Sequence, residues 1–491
     1  MQRIRPLLFW TFTGIFLITA SSVLFYTFGY RFNFERGIFV YTGSVSIKSS
    51  PETVDIRIDG ELIPHTKLGI LNNSIHIGGL APGEHFIEVT APGYLPWAKK
   101  TTVQSGLSTE FWNVFLVKEN NSPETIPETA GAVKIFQARK QGLLAVAKKK
   151  GDILTVDILN TSTETTEQVF SLSDVSLPKD GEENIEWSPD NRKILIPLER
   201  AGAHIYFVVD IATKQVTSLY ELSQNKKTDT IRNPRWDPAN RNVLLYLEEG
   251  TLWRIDTEAT DAAPLFVKEN VRDYNFSGQD IYYLSQDNGI IYRIPARNVG
   301  TEPTQITTIP IDMLSDSLYS LILYDDARLT VREQKTGKLW VYNKISSSEI
   351  ILKEIADRGV RGVQFSDDGK KLLFFTNSEI SVYFVRDWEA QPIREHNTNI
   401  QIARFSNTIK NVVWTEDYEH ILFSLGDSAK IIEIDNRDQR NMADLATLSS
   451  PLLQILTRFD ENYVYFVSSQ NEETDAVSRI RFSEPSTFFG F

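Results

Sequence analysis

The chain has 491 residues, no cysteine and a formal charge of −13, from 51 Lys and Arg against 64 Asp and Glu. A single hydrophobic core stops growing near about 250–300 residues, so more than one unit is expected. The missing cysteine excludes disulfides, thiolate catalysis, Cys-ligated zinc and iron–sulfur clusters.

The hydrophobic fraction of 41% is ample for a packed core and argues against general disorder. An acidic balance, with pI about 5.2, argues against nucleic-acid binding, which needs a basic surface to displace counterions. The six histidines lie scattered at 65, 76, 85, 204, 396 and 420. That scatter disfavours a quinone- or metal-dependent dehydrogenase.

Leu7 to Phe28 reads LLFWTFTGIFLITASSVLFYTF, 22 residues without a charge. As a helix it spans about 33 Å, enough for a bilayer core. Trp10 stands near one end and Tyr26 and Tyr30 near the other, as interfacial aromatics do. Arg3 and Arg5 precede the run with no acid, so the positive-inside rule places the tip in the cytoplasm and the rest outside. Residues 1–30 are thus read as a cytoplasmic tip and single-pass anchor in the cell membrane. A cleaved leader ending near Ala20-Ser21-Ser22 is the alternative. The retained anchor is favoured, because Val23 to Tyr26 continue the apolar run past that point, and a leader's apolar core is about 7–15 residues.

Residues 43–118 change to period two. Val45 and Ile47 share one face, Val54, Ile56 and Ile58 alternate with charged residues, and Phe86, Ile87 and Val89 supply the apolar positions of a later run. Asp59-Gly60, Leu80 to Glu84 and Ala91 to Tyr94 are turns. The pattern predicts a small antiparallel β-sandwich. The strings GSVSIKSSPETVDIRIDG (Gly43–Gly60) and LAPGEHFIEVTAPGYLPW (Leu80–Trp97) closely resemble the PEGA domain. The middle segment, His65 to Gly79, departs from it, lacking the Gly-x-Thr-Pro often found there. The resemblance implies a surface or envelope protein and carries no catalytic role. Tyr94 and Trp97 are read as edge packing in preference to carbohydrate stacking. His65, His76 and His85 are read as surface or edge residues, since their spacings match no metal motif. Residues 119–130, polar with two prolines and three glutamates, read as a linker.

From 131 to 486 the chain repeats an aromatic, a short polar turn and an apolar strand. WSPDNRKILI, WDPANRNVLLYL, FSDDGKKLLFF and WTEDYEHILFSL start at Trp187, Trp236, Phe365 and Trp414, with weaker copies at Phe136, Phe276, Tyr324 and Phe459. The gaps run from 40 to 51 residues. Such a period with several short strands per unit predicts a β-propeller of eight blades, or seven if the end units share a closing blade. The Ser-Pro-Asp and Ser-Asp-Asp-Gly turns resemble the repeats of TolB-like, WD-type propellers. Asp367-Asp368-Gly369 suggests calcium, but calcium loops alternate oxygen ligands over about a dozen residues, so a hairpin turn is preferred.

The fold class expected is therefore all-β: an N-terminal transmembrane helix, a PEGA-like sandwich and a propeller. The sequence nominates no catalytic, cofactor-binding or metal-ligating residue, and the ligand-binding residues stay unknown. An α/β-hydrolase appendage is not expected, since nine residues follow Phe482 in this sequence. Phe365-Ser-Asp-Asp-Gly-Lys-Lys-Leu lacks the Trp of a sialidase box. The favoured function is a membrane-anchored, extracytoplasmic binding or scaffold protein for an envelope protein or glycan. The alternative is a tethered propeller-type hydrolase, glycosidase or peptidase-like.

Overall fold

A computed structural model describes residues 4–33, 37–64, 74–138, 142–179, 183–223, 230–259, 263–448, 454–458, 462–469 and 474–482. Helix α1 (Ile4–Thr27) opens the chain. Its apolar stretch Leu8–Thr27 has no buried residue and is long enough to cross a membrane. This single N-terminal apolar helix fits a membrane anchor or a signal sequence. A two-stranded hairpin follows, Tyr30–Asn33 with Ile38–Tyr41.

The expected sandwich is present as two sheets. Gly43–Ser50 is the centre of a three-stranded sheet, and Asp55–Ile58 with Gly83–Thr90 and Trp97–Val103 build the other. Val45, Ile47, Ile56, Ile87 and Val89 fill the core with no exposed surface. Two details differ from the sequence reading. Gly43–Ser50 pairs parallel to Ser108–Phe115, so the sandwich is not purely antiparallel. Phe86 is about half exposed, because it alternates with the buried Ile87 and points outward. His65 lies outside the described residues.

Beyond the sandwich the described residues form eight four-stranded sheets. Seven are simple meanders, spanning 132–173, 186–218, 231–268, 271–305, 319–356, 362–404 and 409–447; we number them blades 1 to 7 and letter each blade's strands A to D in chain order. Blade 8 takes A, B and C from Gln454–Arg458, Tyr463–Ser469 and Asp475–Arg481, and its D strand is Glu124–Ile126. The expected linker is thus partly structural. The β-branched pair Thr125-Ile126 supplies a strand that pairs with Val477 to Arg479, and Ile126 is buried. The shared closing blade leaves the count at eight. A strands of neighbouring blades contact one another, which places them innermost. Apolar clusters lie between successive blades, as with Trp187 and Ile196 of blade 2 against Phe136 and Ala145 of blade 1. No blade has a core of its own, so ring closure is what buries both faces of every sheet.

Candidate functional site

The A–B turns carry the repeated motif. Ser188 Oγ donates to Asp190 Oδ1 at 2.8 Å, Ser366 Oγ to Asp368 Oδ1 at 2.6 Å and Thr415 Oγ1 to Asp417 Oδ1 at 2.6 Å. The same carboxylates accept backbone N–H groups of Arg192, Lys370 and Glu419. These oxygens close the turn, as Asp does in hairpins. The aromatic anchors mark the end of strand A and pack between blades. Trp187 Nε1 donates to Phe136 O, Trp236 Nε1 to Glu186 O and Trp414 Nε1 to Gln364 O, each a hydrogen bond to the preceding blade at 3.2–3.3 Å. Phe459 lies outside the described residues.

In a meander the A–B and C–D turns fall at one end of the sheet and the B–C and D–A connections at the other. The sandwich occupies the first end at blade 7. Lys99 Nζ pairs with Glu433 Oε1 at 2.5 Å, and Trp97 Nε1 donates to Glu433 Oε2 at 3.0 Å. Asn441 exchanges hydrogen bonds with the backbone of Ala98, and Lys99 also donates to the carbonyls of Asp435 and Gln439. Gln391 of blade 6 bonds Ser108 O and Glu110 N. Phe115 meets His420 at 5.8 Å and stacks on Phe482 at 4.7 Å. Trp97 is buried, in line with the packing reading, and Tyr94 is packed partly against the sandwich core. His76 Nδ1 bonds Ser46 Oγ, while His85 contacts Asp59 Oδ2 and Ala81 O. Among the described residues no group of three or more potential ligands is placed to hold a metal.

At the opposite end, the starts of the A strands form a polar ring. Bulges interrupt the ladder after Ala132, Arg232, Val271 and Lys410. Such bulges re-aim side chains. Lys134 Nζ donates to Asn184 Oδ1, Glu183 accepts Asn233 N, Asn233 Nδ2 donates to Asp273 Oδ1 at 2.8 Å, and Asp273 Oδ2 accepts Leu321 N at 2.6 Å. The ring thereby ties blades 1 to 5 in succession. Burial pushes the Asp273 carboxyl up to about 7 against the opposing pull of those hydrogen bonds. Burial likewise raises the Glu183 carboxyl.

Between blades 5 and 6 the bridge changes character and a cleft of about 660 Å³ opens. Arg332, buried on strand B, donates to Arg361 O. Gly359 N bonds Thr336 O at 2.7 Å and Val360 N bonds Gly337 O at 3.0 Å, fixing the floor. Gly337 has φ +78°, and a Cβ there would lie 2.5 Å from Val360 N, so only glycine permits this approach. Arg358, Arg361, Thr376, Asn377 and Ser378 line the walls. Of the carboxylates at the cleft, Glu333 accepts Lys335 N and Thr336 N and Glu379 pairs with Arg404 at 3.2 Å, while Asp357 stands exposed in the lining beside Arg358. Burial and the nearby Arg361 charge lower the Arg332 pKa. The exposed guanidinium groups of Arg358 and Arg361 have no carboxylate partner among the described residues. Guanidinium forks bind carboxylate and phosphate in two-point fashion, and Arg358 and Arg361 bring two exposed ones to this cleft. No sequence motif marked it, because its residues come from three separate connections.

No protein-family model matches the chain, and no curated protein does. Among solved structures it is similar to the propeller of Myceliophteria thermophila Cps50 (Swd1), at 13% identity over 74% of this chain and 98% of that one, with a TM-score of 0.40. The Dos1 propeller is similar at 11% identity over 74% and 96%, with a TM-score of 0.48. A prolyl endopeptidase is similar at 11% identity over 72% and 55%, with a TM-score of 0.41. The propeller assignment itself rests on the eight four-stranded sheets and their closure.

Proposed function

We propose that the chain is a membrane-anchored binding or scaffold protein of the cell envelope. Its segments are a cytoplasmic tip and anchor (1–30), a PEGA-like spacer (43–118), a connecting segment (119–130) whose Glu124–Ile126 completes the ring, and a TolB-like propeller (131–486), all beyond the anchor lying outside the cytoplasm. The observation that carries this reading is the arrangement of the two ends of the ring. The spacer is locked to the A–B and C–D end, which leaves the B–C and D–A end, with its Arg358 and Arg361 cleft, open to solvent. That end is offered to an envelope protein or glycan bearing acidic groups. The raised carboxyls of Asp273 and Glu183 are engaged in bridging blades, which favours binding over hydrolysis.

The test is capture from envelope extract on the immobilised, detergent-solubilised full chain. Specific recovery of an acidic protein or glycan, weakened by salt and by Arg358→Gln with Arg361→Gln, supports the reading. Recovery of nothing, with turnover in a glycosidase or peptidase panel, replaces it with the hydrolase.

A further inference from the structure

The hairpin after α1 presents an unusual surface. Its register sets Tyr30 opposite Tyr41 and Phe32 opposite Phe39, so these four aromatics share one face. Phe32, Phe39 and Tyr41 are 42%, 52% and 44% exposed, and Ile38 on the other face is 52% exposed. Phe25, two residues before the end of α1, stacks on Phe39 at 5.5 Å and meets Tyr30 edge-on at 5.6 Å. The aromatic face therefore lies alongside the last turns of an apolar helix none of whose stretch Leu8–Thr27 is buried.

Arg31 points the other way. Its guanidinium sits 3.4 Å from the Tyr26 ring centroid, and Nη1 donates to Tyr26 O at 2.9 Å, capping a carbonyl at the end of the helix. It also lies over Gly79 of the sandwich. On the sandwich side, Ser105 Oγ donates to Tyr41 O and Gly106 N to Thr42 O. A Cβ on Gly106 would come 2.4 Å from the Tyr41 ring. The hairpin is thus fastened to both the helix and the sandwich.

We propose that this hairpin is a collar seated in the headgroup region of a lipid bilayer, with Phe32, Ile38, Phe39 and Tyr41 in contact with lipid. The inference rests on the reading of α1 as a retained anchor. Contiguous exposed apolar surface marks an interaction face, and aromatics beside a spanning helix concentrate at the membrane–water boundary. Arg31 keeps its charge at the end of the helix, over the Tyr26 ring and bonded to the carbonyls of Tyr26 and Tyr30. The collar fixes the tilt of the sandwich, and through it the ring, relative to the membrane.

The cysteine-free sequence permits a direct test. Single cysteines are placed in the full chain as Phe32→Cys, Ile38→Cys, Ile18→Cys and Leu265→Cys, labelled with an environment-sensitive fluorophore. Each protein is reconstituted into phosphatidylcholine–phosphatidylglycerol vesicles. Lipids with a nitroxide near the headgroup should quench positions 32 and 38 at least about twofold more than lipids with a mid-bilayer nitroxide, the depth expected of interfacial residues. Position 18 should show the reverse order, and position 265, exposed on blade 3, should respond only to aqueous iodide. Two reporters on the hairpin guard against one substitution disturbing it. Iodide quenching at 32 and 38 equal to that at 265 overturns the proposal. So does protection from both iodide and nitroxide lipid, which would mean a second copy covers the face. If position 18 also escapes lipid quenching, the anchor reading falls with it; if position 18 behaves as stated, the collar alone is lost.

Discussion

Lys99 Nζ and Glu433 Oε1 stand 2.5 Å apart across the junction of sandwich and propeller, with their side chains 0% and 5% exposed. A charge buried this deeply persists only when paired and hydrogen-bonded. Here Glu433 also takes Trp97 Nε1 and Asn441 N, and Lys99 also gives to two carbonyls. The pair and its hydrogen bonds fix which residues of the two units meet at the junction.

Removing one partner should therefore be costly. Lys99→Met leaves the Glu433 carboxylate buried without its cation, and a loss of about 3–5 kcal/mol in denaturant unfolding is expected. Lys99→Met with Glu433→Gln removes both charges and should recover most of that loss. A double variant as unstable as the single one would show that the loss does not come from an uncompensated Glu433 charge.

Asp273 gives the ring a pH dependence. Its folded-state pKa is about 7, above the ordinary carboxyl value of 3.8. The folded protein thus holds the proton more tightly than the unfolded chain. Stability should fall as pH rises from about 4 and level off above 7, by a few kcal/mol at most. Asp273→Asn should flatten this slope, so that its melting temperature relative to the parent climbs between pH 5 and pH 8. A difference constant over that range would contradict the assignment.

His420 acts over the adjacent window. Despite burial, the Asp417, Glu433 and Glu419 carboxylates raise its pKa above 6.5, with Asp417 bonded to Nδ1 at 2.7 Å. Lys371, paired with Glu419, is the nearby opposing cation. The sign is that of a raised base: the stabilisation is complete below pH 6.5 and is lost as pH climbs through the folded-state value. Because Phe115 rests on the imidazole, the sandwich junction should become more protease-sensitive at alkaline pH. His420→Gln should show that sensitivity already at pH 6; unchanged cleavage would separate the imidazole from the junction.

The anchor tryptophans are open to a graded test. Trp414→Phe deletes the hydrogen bond to Gln364 O and should cost about 1–2 kcal/mol. Trp414→Ala also opens a cavity between blades 6 and 7 and should cost about 3–5 kcal/mol. Equal costs in thermal unfolding would mean that packing at this position is slack.

The ring was legible from Trp187, Trp236, Phe365 and Trp414 because each blade reuses one turn chemistry at one spacing. The sandwich was legible from Val45, Ile47, Ile56 and Val89, whose alternation marks a buried face. Its parallel pairing was not, since residues 43–50 and 108–115 meet only through tertiary packing. Glu124–Ile126 escaped notice because three residues in a polar stretch have no period, and their partners lie some 350 positions later. Arg332 lies on a strand of blade 5 and Arg361 in the connection that leads to blade 6, and only the fold brings them to one cleft. Lys99 and Glu433 were equally silent: an isolated lysine on a strand reads as surface until the blade that covers it is known.

The strand that completes blade 8 is made before blade 1, while its three partners are made after blade 7. Until residues 454–481 exist, the ring is an open horseshoe with one flank of blade 1 and one flank of blade 7 bare. Contacts of such long sequence separation form slowly, because the loop must close before they are gained. For a chain delivered from its N-terminus, the sandwich can be complete while most blades are still arriving. Assembly then ends with a latch, and damage to 475–481 should leave blades 1 to 7 formed and blade 8 cut off from its Glu124–Ile126 strand.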